Sequence, residues 1–232
     1  MSFAETEFQD RVALAAAVAA RIAEDLTAAI LKRGTASLIV PGGTTPVAVF
    51  GVLAMTALSW DKVTIIPCDE RWVAHDHADS NAGLIERHLL QGSAKAAKLL
   101  SLYRPLPAPS DATAEVAAAL HAIPRPFSSV FLGMGEDGHF ASLFPGRTET
   151  APALNLNTDD SVMVLREPAK GHPRIGLTLK ALIDTPRVLL AVAGTEKRIV
   201  LQRAIANINS NDLPIAALLR QTQTPVDILL SE

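Results

Sequence analysis

Leu14, Val18, Ile22, Leu26 and Ile30 recur at every fourth position with alanines between them, which predicts a long amphipathic first helix. Gly34 stands where such a helix ends. The next apolar runs have no alternation. "ASLIV" (36–40), "KVTIIPCDE" (62–70), "FSSVFLG" (127–133), "SVMVLRE" (161–167) and "RVLLAVAG" (187–194) predict strands buried on both faces. "KLLSLY" (98–103) predicts a further strand, and "VDILLSE" at the end an edge strand. Helical patterns fall between them: "VAVFGVLAM", a segment from an N-capping Ser80 through Leu90, 111–123, a stretch near 174–183, 195–208, and 214–221. Apolar strands alternating with helices predict an α/β fold, a Rossmann-like, doubly wound, mostly parallel sheet with helices on both faces. No repeat or linker divides the chain, so one domain over 1–232 is expected.

Composition narrows the partners. Hydrophobic residues make up 49% and charged residues 19% of the 232 positions, enough for a large core. The net charge of −3 offers no basic excess for nucleic acid, while a small anion needs only a few local cations. Cys68 is the one cysteine, which excludes an intramolecular disulfide and a cysteine-based zinc site and fits a reducing compartment. The start, "MSFAETEFQD", lacks a leader pattern, and Arg21, Glu24 and Asp25 interrupt the apolar run from Val12 to Leu31. A cytoplasmic protein without membrane contact is expected, as a monomer or small homo-oligomer.

In a parallel sheet ligands bind beyond the carboxyl ends of the strands. Three chemically loaded loops lie there. In "PGGTTP" (41–46), Gly42 and Gly43 let the backbone approach a ligand, Thr44 and Thr45 add hydroxyls, and a helix N-terminus follows. That is a phosphate cradle or a tight turn with a threonine cap; no lysine makes it a P-loop. In "CDERWV" (68–73), Asp69 and Glu70 flank Arg71, either as a solvated ion-pair cluster or as an oriented arginine. Cys68 reads as a small buried hydrophobe rather than a nucleophile. His75, His77 and Asp79 have the residue types of metal ligands, but such a pair in a loop is usually solvated surface, and no metal is expected.

The third loop, "FLGMGEDGHFASLFPG" (131–146), contains Gly133-x-Gly135-x-x-Gly138, the letters of a dinucleotide fingerprint. Its context is wrong. It follows several strands, and "FASLF" meets Pro145-Gly146 after little more than one possible helical turn. The loop instead carries Glu136, Asp137 and His139, and a histidine suits general-base work near neutral pH. Arg174 and Lys197, near the predicted starts of two helices, can hold a phosphate, and His172 lies beside Arg174 in a polar turn.

Taken together, "PGGTTP", "CDERWV", "DSNAGLIERHLL", "GMGEDGHFASLFPG", "HPRIGLTLKAL" and "GTEKRIVLQRA" resemble the 6-phosphogluconolactonase family, in the same order along nearly the whole chain. The resemblance implies a fold shared with glucosamine-6-phosphate deaminase and hydrolysis of 6-phospho-D-glucono-1,5-lactone in the pentose phosphate pathway, with no organic cofactor and no required metal. For that reaction His139 would serve as general base, with Asp137 or Glu136 orienting its loop. Arg71 and Asp69 would act at the reacting end, and Gly42, Gly43, Thr44, Thr45, Arg174 and Lys197 would hold the phosphate. Pro41 departs from the pattern, where a serine usually precedes the glycines. The deaminase is the nearest alternative, but its "FNEP"-type segment reads "SLFPG" here. A non-catalytic sugar-phosphate sensor is the other alternative, and the chain has no length to spare for the DNA-binding module such sensors carry.

Overall fold

The computed structural model describes residues 3–166, 171–206 and 212–232. The chain runs β1 (Phe3–Glu7), α1 (Arg11–Arg33), β2 (Ala36–Val40), α2 (Thr45–Met55), β3 (Val63–Pro67), β4 (Asp69–Arg71), α3 (Asn81–His88), β5 (Lys98–Leu99), α4 (Thr113–His121) and β6 (Ser129–Gly133). It continues through α5 (Thr150–Leu154), β7 (Val162–Leu165), β8 (Arg174–Leu177), α6 (Leu179–Leu182), β9 (Val188–Ala193), α7 (Thr195–Ile205), α8 (Ile215–Arg220) and β10 (Val226–Ser231).

The main sheet has seven strands in the order β1-β10-β9-β6-β2-β3-β5, and every pairing in it is parallel. Successive side chains of a strand point to opposite faces, so an unbroken apolar run is divided between two cores. Ile39, Ile66, Leu132, Leu190 and Ile228 pack on one face with α4, α7 and α8. Leu38, Ile65, Phe131, Leu189 and Leu229 pack on the other beneath Leu14, Val18, Ile22 and Leu26 of α1 and Phe50 of α2. The first helix is the one its spacing predicts. Asp10 caps it by accepting the Ala13 N–H, and Gly34 closes it at φ 76°.

Four expectations need correction. The closing segment is not an edge strand: β10 lies between β1 and β9, and the short β1, without a readable apolar pattern, takes the edge. The run 62–70 is not one strand. Pro67 ends β3, and Asp69–Arg71 starts a second, antiparallel sheet, β4-β8-β7. The stretch 174–183 is not one helix. Arg174–Leu177 is the central strand of that small sheet, and only Leu179–Leu182 is helical. Residues 98–103 contribute only Lys98–Leu99 as strand. Residue 167 of the predicted strand and 207–208 of the predicted helix lie outside the described residues.

The strand order reverses between β2 and β6. From β2 the chain goes on to β3 on one side, and from β6 to β9 on the other. Such a switch point opens a crevice above the sheet. The adjacent ends of β3, β2, β6 and β9 deliver "CDERWV", "PGGTTP", "GMGEDGH" and "GTEK" to it.

Candidate active site

A cleft of about 230 Å³ lies over these strand ends. Gly42, Gly43, Thr44, Thr45, Asp69, Arg71, His139, Arg174 and Lys197 all line it. Asp137 does not; it stands against His139. His172 is also not among the lining residues; it lies 3.3 Å from Asp79.

The glycine-rich loop is shaped around one histidine. His139 Nδ1 lies 2.5 Å from Asp137 Oδ1, which also accepts the His139 backbone N–H at 3.1 Å. Burial pushes the Asp137 carboxyl up, but the hydrogen bonds and charge of His139 outweigh it and hold it below the usual carboxylate range. An ionised carboxylate only accepts, so Nδ1, which faces it, carries a proton, and in the neutral imidazole the lone pair then lies on Nε2. The ring packs on Phe144 with centroids 4.4 Å apart. A Cβ on Gly135 would stand 2.2 Å from His139 Cε1, so this glycine makes room for the imidazole. Gly138 is needed for its backbone, at φ 77°. No helix follows the loop before α5, and the glycines form no dinucleotide turn.

The "GG" loop has its own constraint. A Cβ on Gly42 would meet Asn81 Oδ1 at 2.0 Å. Asn81 is buried, lines the cleft and donates Nδ2–H to the Asp69 carbonyl at 2.7 Å. Thr44 precedes α2 but its side chain makes no capping bond, so the threonine-cap reading fails and the hydroxyl stays with the cleft. Lys197 enters from the first turn of α7, beyond β9.

Asp69 and Arg174 meet because β4 pairs with β8. Their closest atoms are 3.7 Å apart, both residues are buried, and Ser142 bridges them. The Ser142 hydroxyl donates to Asp69 Oδ2 and accepts from Arg174 Nη1 at 3.2 Å. Ala141 and Ser142 hold φ values of 47° and 61°, sterically costly for residues with a Cβ, and the loop is pinned there by these contacts. Asp69 Oδ1 accepts the Cys68 thiol proton at 3.1 Å. Burial, then the Asp69 charge, pushes that thiol well above its ordinary value, so Cys68 is no nucleophile at neutral pH. Arg71 donates Nη1–H to the Asp79 carbonyl at 2.6 Å. Glu70 does not reach the cleft. Its carboxylate is fully buried and accepts the backbone N–H groups of Arg71, Asn81 and Ala82. Asn81 and Ser142 are site residues that the sequence reading did not single out. Their signal was their place beside loaded letters, in "DSNAG" and "GHFAS".

The sequence profile of the family described as glucosamine-6-phosphate isomerases/6-phosphogluconolactonase matches residues 9–226. The chain belongs to this family. Among curated relatives, the 6-phosphogluconolactonase of Mesorhizobium japonicum is 41% identical, over 95% of this chain and 92% of its own length. That of Pseudomonas putida is 39% identical, over 96% and 90%. The crystal structure of a 6-phosphogluconolactonase from Shewanella baltica superposes with a TM-score of 0.95 at 36% identity, covering 99% of this chain and 98% of that one. A monomeric glucosamine-6-phosphate deaminase shares the family fold at a TM-score of 0.77 and 19% identity. No helix among the described residues of this family member is long and apolar enough to cross a membrane.

Proposed function

We propose that the protein hydrolyses 6-phospho-D-glucono-1,5-lactone to 6-phospho-D-gluconate, the lactone-opening step of the oxidative pentose phosphate pathway. The observation that carries this reading is the Asp137–His139 pair at a cleft that a glycine-threonine loop and a lysine also line. The relatives' names support the substrate. The lactone is an ester with a phosphate at its far end. The Gly42 and Gly43 backbone, Thr44, Thr45 and Lys197 bind that phosphate, with Arg174 adding charge from β8. Binding energy there positions C1 for attack beside His139.

His139 Nε2 takes a proton from water as its oxygen attacks C1, and Asp137 stabilises the imidazolium that forms. Arg71 stabilises the negative charge that develops on the carbonyl oxygen, and Asp69 contacts the sugar hydroxyls. The tetrahedral intermediate collapses with cleavage of the C1–ring oxygen bond. The proton held on His139 passes to the departing alkoxide, giving a hydroxyl and a carboxylic acid, which then ionises by releasing a proton to solvent.

The test is a fresh-lactone assay corrected for spontaneous opening. His139→Ala should lower kcat by about 10²–10⁴-fold with a small change in KM. Lys197→Ala should mainly raise KM. Wild-type turnover in His139→Ala would overturn the assignment of the base. Ammonia release from glucosamine 6-phosphate without lactone turnover would favour the deaminase, and 6-phosphogluconate binding without turnover a sensor.

A further inference from the structure

The "HDHAD" segment stayed outside the catalytic reading, and the fold rearranges it. His75 turns away, its Nε2 lying 2.8 Å from Glu86 Oε2 on α3. His77 and Asp79 are instead joined by His172, which arrives just ahead of β8 from almost a hundred residues later in the chain. His172 Nε2 lies 3.3 Å and His77 Nδ1 3.8 Å from the same oxygen, Asp79 Oδ2. The two rings meet edge to face, with centroids 5.2 Å apart. Ligand atoms from the three residues all fall within 4.8 Å of one another.

We infer that His77, Asp79 and His172 form a binding site for a divalent transition-metal ion of the zinc type, on the loop whose Asp79 carbonyl holds Arg71. Two donors that each sit about 2.0–2.1 Å from a tetrahedral ion stand about 3.3–3.4 Å apart. The His172–Asp79 separation already has this value, and the His77 separation closes to it with a small rotation of exposed side chains. Two imidazoles and one carboxylate select Zn²⁺, Co²⁺ or Ni²⁺ over Mg²⁺ or Ca²⁺, which prefer all-oxygen sets. His77 Nδ1 accepts the Asp79 backbone N–H at 3.1 Å, so an ion taken up at this nitrogen exchanges a neutral hydrogen bond for a coordinate bond. Three protein ligands leave a fourth position for water.

The site has a structural consequence. The Asp79 carbonyl accepts from the Arg71 guanidinium, and His172 is two residues from Arg174. An ion here clamps the segment entering β8 to the loop that fixes Arg71.

The experiment is titration of the chelator-stripped, full-length protein with Co²⁺, read by visible absorption, and with Zn²⁺, read by calorimetry. One equivalent should bind, and excess Mg²⁺ should not displace it. His77→Ala and His172→Ala should each weaken binding by at least about tenfold, since losing a ligand costs no less than losing a ligand's supporting partner. Melting temperatures of the metal-free variants should match that of the metal-free wild type. His75→Ala and His139→Ala should bind as wild type does. No stoichiometric binding by the wild type, binding that survives His172→Ala, or binding lost in His139→Ala but kept in His172→Ala would overturn the inference.

Discussion

At the scale of single residues, the proposed chemistry rests on how one imidazole is held. Asp137 binds both the ring and the backbone of His139, Gly135 leaves space for the ring, and Phe144 supports it. Asp137→Asn should therefore preserve the fold while lowering kcat, because an amide can donate to Nδ1 and favour the tautomer with the proton on Nε2. Stability carries the same signature. The Asp137 pKa is lowered by folding, so the pair's contribution is fully present above the unfolded value of about 3.9 and is lost as pH falls through the lower folded value. Thermal melts across the acid range should show that dependence in the wild type and a weaker one in Asp137→Asn. An identical acid profile in the two proteins would contradict the pairing. That His139 stands on a glycine-supported loop at the cleft was legible from the sequence. The choice of Asp137 over Glu136 was not, since both precede the histidine and only the conformation at Gly138 selects one.

At the scale of elements, α3 shows how a buried carboxylate can shape a site without touching it. Ser80 caps α3 as its sequence predicts, accepting the Gly83 N–H at 3.0 Å. Glu70 adds a second cap from the neighbouring β4, taking the N–H groups of Asn81 and Ala82 at 2.8 and 2.7 Å. These bonds fix Asn81 against Gly42 and the Asp69 carbonyl. Glu70→Ala leaves buried N–H groups without partners and should cost about 3 kcal/mol or more of stability. Urea melts would measure this, and an unchanged midpoint would contradict it. In the sequence, Glu70 read as part of a charge cluster at the cleft. Its true direction depends on where α3 begins relative to β4, which no local pattern encodes. The splitting of 174–183 has a similar cause: "RIGL" finds its strand partners outside its own segment, in β7 just before it and in β4, far earlier in the chain.

At the scale of the whole molecule, the parallel sheet is closed by its last strand. β10 pairs with β1 on one side and β9 on the other and buries Ile228, Leu229 and Leu230. Ending the chain at residue 225 should strand β1, expose the edge of β9 and abolish cooperative unfolding. Removing residues 1–7 takes away only the edge and should leave a folded protein of lower stability. Circular dichroism and size-exclusion chromatography distinguish the two outcomes, and a folded monomer from the first truncation would contradict the placement of β10. The sequence by itself determined the fold class, because apolar runs of strand length alternating with helical patterns admit few arrangements other than a covered parallel sheet. It also determined which loops meet at the cleft, because glycine, threonine, histidine and arginine at strand ends announce themselves. Tertiary structure alone decided which strand lies at the edge, that β4 leaves the main sheet to meet β8, and that His172 joins His77 and Asp79. Each of those is a pairing between segments far apart in the chain, fixed by shared burial and strand register rather than by any pattern within a segment.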